Sequence, residues 1–324
     1  MKLATLKTEK RDGQLIVVDK QLSKYAVPDV MTLQYALDNW SLIAPELRRI
    51  YQELNNNLCA SIPFDPSELA APLPRAYQWL DGSAYLSHVE RVRKARGSEL
   101  PASLLDDPLM YQGASDHMLA ARDPIEVGSE TWGIDFEAEV GVITDEVPMG
   151  VSQDEAADHI KLLVLINDIS LRNLIPDELA KGFGFIQGKP ASAFSPVAVT
   201  PDELGDDWNN CKLHLPLSVY WNEQYFGHAN AGTDMQFSFS RLISHAAKTR
   251  SLISGTIIGS GTVSNYDQTV GCSCIVEQRV IEIVSLGAAK TEFMQYGDNV
   301  RIVMFDKHGQ SVFGAIEQEV KSWP

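Results

Sequence analysis

The most informative stretch of this chain is Gly133-Ile134-Asp135-Phe136-Glu137-Ala138-Glu139-Val140-Gly141-Val142-Ile143. From Phe136 to Val140, apolar and acidic residues alternate. Because side chains two positions apart share one face of a strand, Glu137 and Glu139 are predicted to point the same way. Neighbouring carboxylates repel each other unless a cation lies between them or one is protonated. A hard divalent cation would satisfy both side chains, although an exposed strand face with two solvated glutamates fits the same pattern.

The length and composition predict one large domain, or a large domain with a small one. The chain has 324 residues, of which 44% are hydrophobic, as in globular proteins with a full core. A formal net charge of −16 and a sequence pI of about 4.8 argue against nucleic acid and anionic membranes as partners.

Location is predicted from three further features of the sequence. No stretch has the length of a transmembrane helix, and the N-terminal residues lack the apolar core of a signal peptide. The spacing of the cysteines matches no zinc-binding pattern. They are Cys59, Cys211, Cys272 and Cys274. We therefore expect reduced thiols in a cytoplasmic protein.

Local patterns predict both strands and helices, with mostly strands after about residue 197. The predicted strands are Lys2–Thr8, Gln14–Val18, Lys212–Trp221, Thr256–Ile258, Cys274–Val284 and Asn299–Phe305. Helices are predicted at about 31–40, 45–56, 153–162 and 238–252, with a division near Pro45 and a capping box at Ser152 and Glu155. A proline-rich segment predicts a boundary between a small N-terminal domain, residues 1–72, and a main domain, residues 73–324.

Several polar residues stand in settings that suggest chemistry. His88 lies in a short run that also contains an acid, a tyrosine and clustered bases, although a lone histidine is usually structural or exposed. Asp168 ends an apolar run, where a ligand could reach it, but ordinary strand termination explains it equally well. The Gly188-Lys189 pair combines close backbone approach with a point charge, and Pro190 excludes a phosphate-binding loop.

The ordered set of motifs resembles the fumarylacetoacetate hydrolase family over about residues 72–320. The motifs are Ala84-Tyr85-x-x-His88-x-x-Arg91, Ile134-Asp135-x-Glu137-x-Glu139, Leu165-Ile166-Asn167-Asp168-x-x-x-Arg172, Gly188-Lys189, Gly259-Ser260-Gly261-Thr262-Val263-Ser264, Gly297-Asp298-x-Val300-Arg301 and Gln310-Ser311-x-Phe313-Gly314. Each motif is weak alone, but the combination is specific. The resemblance implies a β-rich α+β fold, in which a mixed β-roll main domain follows a small SH3-like N-terminal domain, and a homodimer.

The resemblance also implies the residues of an active site. A divalent cation, Mg²⁺ or Ca²⁺ with Mn²⁺ as a further option, would bind Asp81, Glu137, Glu139 and Asp168. His88 would act as general base, oriented by Glu277, while Lys189 and Arg172 would stabilise an oxyanion. The substrate would contact Tyr111, Thr262, Arg96 and Gly188. His117 is an alternative base, less favoured because the spacing of His88 to Asp81 and Tyr85 matches the family.

The implied reaction is metal-dependent hydrolysis of a carbon–carbon bond in a 1,3-diketo acid from aromatic-compound catabolism. Ile175 replaces a glutamine, and Ser83 a tyrosine, of the hydrolase that names the family, which weakens fumarylacetoacetate itself as the substrate. One alternative is a related 2-keto-acid lyase, that is, a decarboxylase, hydratase or tautomerase. A non-catalytic, metal-stabilised binding protein is a further alternative, but it would not need His88, Lys189 and Arg172.

Overall fold

The computed structural model describes residues 1–95 and 102–323. Its strands are β1 (Lys2–Leu6), β2 (Gln14–Val18), β3 (Lys24–Ala26), β4 (Ile62–Pro63), β5 (Trp79–Gly82), β6 (Met110–Gln112), β7 (Ile125–Val127), β8 (Ile134–Asp135), β9 (Ala138–Thr144), β10 (Ile160–Asn167), β11 (Ser170–Leu171), β12 (Ala193–Phe194), β13 (Ala198–Val199), β14 (Trp208–Asn209), β15 (Lys212–Leu213), β16 (Leu217–Trp221), β17 (Gln224–Gly227), β18 (Ile257–Gly259), β19 (Asn299–Phe305) and β20 (Ser311–Ser322). The α-helices are α1 (Leu33–Asp38), α2 (Trp40–Asn55), α3 (Leu86–Ala95), α4 (Gln153–Ala156), α5 (Ile175–Lys181), α6 (Phe239–Ala246) and α7 (Ile275–Leu286). Short 3₁₀ helices cover Pro66–Glu68, Ala102–Leu105, Glu130–Trp132, Ala157–His159, Pro201–Asp207 and Gln268–Val270.

A large, mainly antiparallel sheet organises the fold. Its strand order is β4-β3-β2-β1-β13-β10-β9-β18-β5-β6, with β12 also paired to β10, and β18 runs parallel to β5. A second sheet has the order β17-β16-β19-β20-β7. The mixed composition, with more strand than helix, confirms the predicted β-rich α+β class, whereas the SH3-like form of the N-terminal part stays a prediction.

Strand β10 is almost continuously apolar because both of its faces are covered. On one face, Val164 belongs to a hydrophobic cluster that includes Leu47 of α2. On the other face, Leu163 belongs to a cluster that includes Ile302 of β19. The central sheet is therefore enclosed between helices α1 and α2 and the second sheet.

The first strands of the chain extend the central sheet. Strand β1 pairs with β13, with Leu3 opposite Ala198, so the N-terminal residues share backbone hydrogen bonds with the main part of the chain. The predicted domain boundary at residue 72 stays a prediction. In the described part of the chain, no helix is long and apolar enough to cross a bilayer.

The strand predicted over Cys274–Val284 is wrong, because this segment forms helix α7. Its many β-branched residues are typical of strands. However, the Asp135 carboxylate accepts hydrogen bonds from the backbone N–H groups of Ile275 and Val276, at 2.7 and 2.9 Å. A partner for the free N–H groups of the first turn favours a helix. Contacts outside the segment therefore decide its conformation.

Four boundary predictions also need correction. Helices α1 and α2 divide at Asn39, and α2 continues through Pro45, whose exposed position lets water satisfy the carbonyl left without a donor. The capping box at Ser152 is present, but helix α4 is short and β10 already begins at Ile160. The strand predicted over Lys212–Trp221 is divided into β15 and β16, because Pro216 between them lacks a backbone N–H. Helix α6 ends at Ala246, before the predicted residue 252.

Candidate active site

Neighbouring strands of the central sheet bring three carboxylates together. Asp81 in β5 lies opposite Tyr111 of β6, and Glu139 in β9 lies opposite Ile166 of β10. Asp168 follows the last residue of β10. One oxygen from each of Asp81, Glu139 and Asp168 lies within 4.8 Å of the others, and all three residues are buried. We call this group the carboxylate cluster.

Two glycines leave room for the Asp81 carboxylate. A Cβ atom on Gly259 would lie 2.6 Å from Oδ1 of Asp81, which is too close for any side chain. Gly261 has a φ of +75°, and its backbone N–H donates to the same Oδ1 over 3.1 Å. The glycine motif after β18 therefore shapes the pocket around Asp81.

Glu139 tests whether the carboxylate cluster fits a cation. Both of its carboxylate oxygens are buried and have no hydrogen-bond partner among the described residues. Burial and the nearby carboxylates of Asp81 and Asp168 raise the pKa of Glu139 well above its ordinary value. Burial and Asp168 raise the pKa of Asp81 in the same way. The two Glu139 oxygens without partners, beside the carboxylates of Asp81 and Asp168, fit a hard divalent cation, which would offset both the burial and the repulsion.

Glu137 lies beside this cluster but is held by two cationic side chains. Arg172 Nη2 donates to Oε1 over 2.6 Å, and Lys189 Nζ donates to Oε2 over 2.5 Å. Lys189 also donates to Oδ2 of Asp168 over 2.5 Å. Burial on its own would raise the pKa of Glu137, but Arg172 and Lys189 outweigh it and hold the pKa well below its ordinary value. The structure thus groups three of the four predicted ligands, and a metal-binding role for Glu137 stays a prediction.

Asp168 has two further hydrogen-bond donors. The Tyr111 hydroxyl donates to Oδ2 over 2.6 Å, and the Ser192 hydroxyl donates to Oδ1 over 2.7 Å. Burial and the Asp168 charge raise the pKa of Tyr111 well above its ordinary value, so this hydroxyl remains a donor. The family resemblance implies Tyr111 as a substrate contact, but no feature of the sequence pointed to Ser192.

His88 and Glu277 form a hydrogen-bonded pair between α3 and α7. His88 Nδ1 lies 2.6 Å from Oε2 of Glu277. The other oxygen, Oε1, accepts from Arg91 and from the Ser264 hydroxyl, the latter at 2.9 Å. Burial would raise the pKa of Glu277, but the hydrogen bond to His88 and the charge of Arg91 lower it below its ordinary value. Glu277 is therefore ionised, and the contact expected between these two residues is present, while their catalytic roles stay predictions.

Asp135 connects the acidic strand segment to the helix that carries Glu277. Besides the two backbone N–H groups at the start of α7, its carboxylate accepts from Arg172 Nε over 2.8 Å. Asp135 is fully buried. The sequence pattern gave Asp135 no separate role, although it is the first acid of the alternating series that continues with Glu137 and Glu139.

Glu178 of α5 holds the backbone in front of Lys189. Its carboxylate accepts hydrogen bonds from the backbone N–H groups of Ile186, Gln187 and Gly188, at 2.7 to 2.9 Å. These three bonds fix the predicted substrate contact Gly188 and the position from which Lys189 enters the site. No sequence motif singled out Glu178, because its partners are backbone groups.

The remaining predicted site residues have different locations. Thr262 is buried in the loop after β18. Ile175, at the position of the family's glutamine, is buried at the start of α5. Arg96 lies outside the described residues. His117 is exposed in a surface hollow that includes Lys7, so His88 is the histidine that the fold pairs with Glu277.

Comparison with known proteins relates both parts of the chain to one family. Residues 78–321 match the family described as Fumarylacetoacetate (FAA) hydrolase C-terminal, and residues 1–75 match Fumarylacetoacetase N-terminal domain 2. The 2,4-didehydro-3-deoxy-L-rhamnonate hydrolase of Sphingomonas sp. (strain SKA58) is 30% identical over 159 residues, which are 48% of this chain and 53% of that protein. The match therefore spans about half the length of this relative.

Two further relatives are matched over more of their own length. Human mitochondrial oxaloacetate tautomerase FAHD1 is 26% identical over 197 residues, which are 59% of this chain and 83% of that protein. The crystal structure of maleylpyruvate hydrolase from Sphingobium sp. SYK-6, in complex with manganese(II) ion and pyruvate, is 16% identical. It covers 100% of both chains with a TM-score of 0.66. At 16% sequence identity, this structural likeness shows that the two chains share a fold.

Proposed function

The chain belongs to the fumarylacetoacetate hydrolase family, and we propose that it is a metal-dependent hydrolase of a 1,3-diketo acid of the acylpyruvate or fumarylacetoacetate type. The His88–Glu277 pair carries this proposal, because it would supply a general base whose charge acts on Glu137, beside the carboxylate cluster. Hydrolysis of a carbon–carbon bond in a diketone needs an activated water, an oxyanion site and stabilisation of the departing carbanion. Aromatic-compound catabolism is the proposed source of the substrate.

Asp81, Glu139 and Asp168 would hold the divalent cation, with Glu137 as a fourth ligand that also pairs with Lys189. Mg²⁺, Ca²⁺ and Mn²⁺ all suit these oxygen donors. When bound, such a cation polarises carbonyl oxygens and stabilises developing negative charge. The manganese(II) and pyruvate in the maleylpyruvate hydrolase structure support both the cation and a 2-keto-acid product.

His88 would remove the proton from the attacking water. In the tautomer that donates Nδ1–H to the ionised Glu277, the imidazole keeps a free lone pair on Nε2. After proton transfer, the Glu277 charge stabilises the imidazolium. Arg91 and Ser264 hold Glu277 in the orientation that this requires.

Lys189 and Arg172 would stabilise the oxyanion. Burial would lower the pKa of Lys189, but Asp168 and Glu137 outweigh it and raise the pKa, so the ammonium stays charged. Two of its three N–H donors already bind carboxylates, which leaves one donor for the substrate. Tyr111, Thr262, Gly188 and Arg96 are the proposed substrate contacts.

Ile175 supports an acylpyruvate over fumarylacetoacetate. A Cβ atom on Gly188 would lie 2.8 Å from Cγ1 of Ile175, so this apolar side chain packs directly against a proposed substrate contact. The hydrolase that names the family has a glutamine there. An apolar group cannot donate a hydrogen bond to the substrate. We therefore propose a substrate whose end near Ile175 is less polar than that of fumarylacetoacetate.

A 2-keto-acid lyase or tautomerase is the second candidate, favoured by the match over 83% of the length of the oxaloacetate tautomerase. The same carboxylates would serve such a reaction, but a water-activating His88–Glu277 pair would not be needed. Hydrolysis yields two acids, whereas decarboxylation releases carbon dioxide, so product analysis separates the candidates. A non-catalytic binding protein would give no product.

The first test is turnover of acylpyruvates, fumarylacetoacetate and oxaloacetate with Mg²⁺ or Mn²⁺, and with chelator. We expect metal-dependent cleavage of a diketo acid into two acids. Replacement of the base, His88→Ala, should lower kcat by about 10²- to 10⁴-fold. The matched variant His117→Ala should keep normal turnover, because His117 is exposed. Normal turnover by His88→Ala with loss in His117→Ala would contradict the mechanism.

Two further proposals rest on family membership and on the thiols. The chain is proposed to form a homodimer, which light scattering of the purified protein tests directly. It is also proposed to work in the cytoplasm, where Cys59, Cys211, Cys272 and Cys274, all free in the structure, would stay reduced.

A further inference from the structure

His88, Cys274 and Glu277 form a second group of potential metal ligands, which we call the mixed cluster. One ligand atom from each lies within 4.8 Å of the others. Cys274 and Glu277 are buried, while the His88 side chain is 17% exposed and gives access from outside. We propose that the mixed cluster binds Zn²⁺ or a similar thiol-preferring cation, and that its occupation inhibits the enzyme.

The two clusters differ in the cations that they favour. The carboxylate cluster offers only oxygen atoms, which suit Mg²⁺, Ca²⁺ and Mn²⁺. The mixed cluster offers a sulfur, an imidazole nitrogen and a carboxylate oxygen, the donors that bind Zn²⁺ in proteins. Three protein ligands leave a fourth position for water, as in sites that are open to solvent. A cation that binds thiolates therefore discriminates between the clusters.

Surrounding contacts hold the three ligands in place. Cys274 is the residue directly before α7 and forms an isolated β-bridge with Glu137. Arg91 and Ser264 bind only Oε1 of Glu277, so Oε2 remains for a cation. His88 Nδ1 and this Oε2 are 2.6 Å apart, and bonds to Zn²⁺ near 2.0–2.1 Å require them to separate to about 3.3 Å.

Binding changes protonation without any change of oxidation state. The Cys274 thiol loses its proton to solvent and forms a sulfur–metal bond. The imidazole proton moves from Nδ1 to Nε2 as Nδ1 binds the cation. Nε2, the proposed base, then has no free lone pair, so turnover stops until a chelator removes the cation. This inhibition rests on the proposed function, whereas cation binding itself does not.

Absorption of Co²⁺ tests the binding independently of activity. The full chain, saturated with Mg²⁺ to occupy the carboxylate cluster, is titrated with Co²⁺ while the thiolate-to-Co²⁺ charge-transfer band is followed. We expect the band in the unmodified chain and in Cys272→Ser, a matched control in which a second buried cysteine is replaced. Cys274→Ser should lose the band, and His88→Asn should weaken Co²⁺ binding by at least about 10-fold. A band that survives in Cys274→Ser, or that disappears equally in Cys272→Ser, overturns the proposal.

Inhibition is then measured as a Zn²⁺ titration of turnover at saturating Mg²⁺. We expect reversible inhibition of the unmodified chain and of Cys272→Ser, and an inhibitory Zn²⁺ concentration at least about 10-fold higher for Cys274→Ser. Equal inhibition of all three proteins would place Zn²⁺ at the carboxylate cluster and contradict the inhibitory role. If no diketo acid is turned over, the proposed function fails while the Co²⁺ band still decides the site. Should Cys274→Ser not fold, Cys274→Ala replaces it in both measurements, and His88→Asn serves in the Co²⁺ titration only.

Discussion

Glu137 and Glu139 show how neighbours determine the state of each buried acid. The two residues are separated by one alanine, and both are buried. Arg172 and Lys189 lower the pKa of Glu137, whereas burial and the carboxylates of Asp81 and Asp168 raise that of Glu139. Glu137 is therefore ionised and paired, while Glu139 has no hydrogen-bond partner within residues 1–95 and 102–323. This contrast makes Glu139 the strongest single indication of a cation.

Replacement of Arg91 is expected to impair catalysis through Glu277. Because Arg91 contacts Glu277 and the backbone carbonyls of Asn265 and Tyr266, it positions the proposed base without contacting the substrate itself. We expect Arg91→Ala to lower kcat by about 10- to 100-fold with little change in KM, and Arg91→Lys to retain more activity. The charge of Arg91 lowers the pKa of Glu277, so its removal should move the acidic limb of the pH–kcat profile to higher pH. Loss of kcat with an unmoved acidic limb would indicate a merely structural role.

Helix α7 places the partner of the proposed base. Its first turn is held by Asp135, which lies in β8 next to the acidic strand segment. The same carboxylate holds Arg172, one of the proposed oxyanion donors. One buried acid thus aligns Glu277 and Arg172 relative to the carboxylate cluster.

Replacement of Asp135 is expected to destabilise the protein and reduce its activity. Asp135→Ala leaves Arg172 without one partner and α7 without its cap, which should lower the free energy of unfolding by about 3–5 kcal/mol. Asp135→Asn keeps a cap acceptor and should cost less. The control Ser152→Ala removes the cap of α4 outside the site, so it should cost about 1 kcal/mol and leave kcat unchanged. Urea unfolding and turnover measure both effects, and an Asp135→Ala protein as stable as the unmodified chain would contradict this role.

The stability of the whole molecule should depend on a divalent cation. Without a cation, Asp81 and Glu139 have pKa values well above the ordinary ones, so folding takes up protons. Their contribution to stability is then greatest at low pH and falls as the pH rises above their ordinary pKa values of about 4. Cation binding requires ionised carboxylates and strengthens as the pH rises. We therefore expect chelator to lower Tm, and the gain in Tm from Mg²⁺ or Mn²⁺ to be larger at pH 8 than at pH 6.

Thermal unfolding with chelator and with added cation, across this pH range, measures the effect. The variant Glu139→Gln should lose most of the gain in Tm, because it removes a proposed ligand. His117→Ala, with an exposed side chain, should keep it. A Tm that is unchanged after verified removal of metal would contradict a structural role for the cation.

The sequence alone indicated most of the charged groups that meet at the site. Alternation in the segment around Glu137 and Glu139 predicted one strand through both residues, whereas β9 begins at Ala138 and includes only Glu139. The ordered motifs identified the family and its β-rich fold, which the family match confirms. Such patterns are readable because side-chain direction in a strand repeats every two residues, whatever the rest of the molecule does. Where local preference and tertiary contacts disagree, as in α7, the same reasoning predicts the wrong element.

Only the tertiary structure decided which of these groups meet. It paired Glu137 with Arg172, 35 positions away, and with Lys189, 52 positions away. It also gave Asp135 and Glu178 their roles, since their partners include backbone N–H groups that carry no sequence signature. The physical reason is that hydrogen bonds and charge pairs act over a few ångströms. Chain folding alone determines which distant residues come within that range.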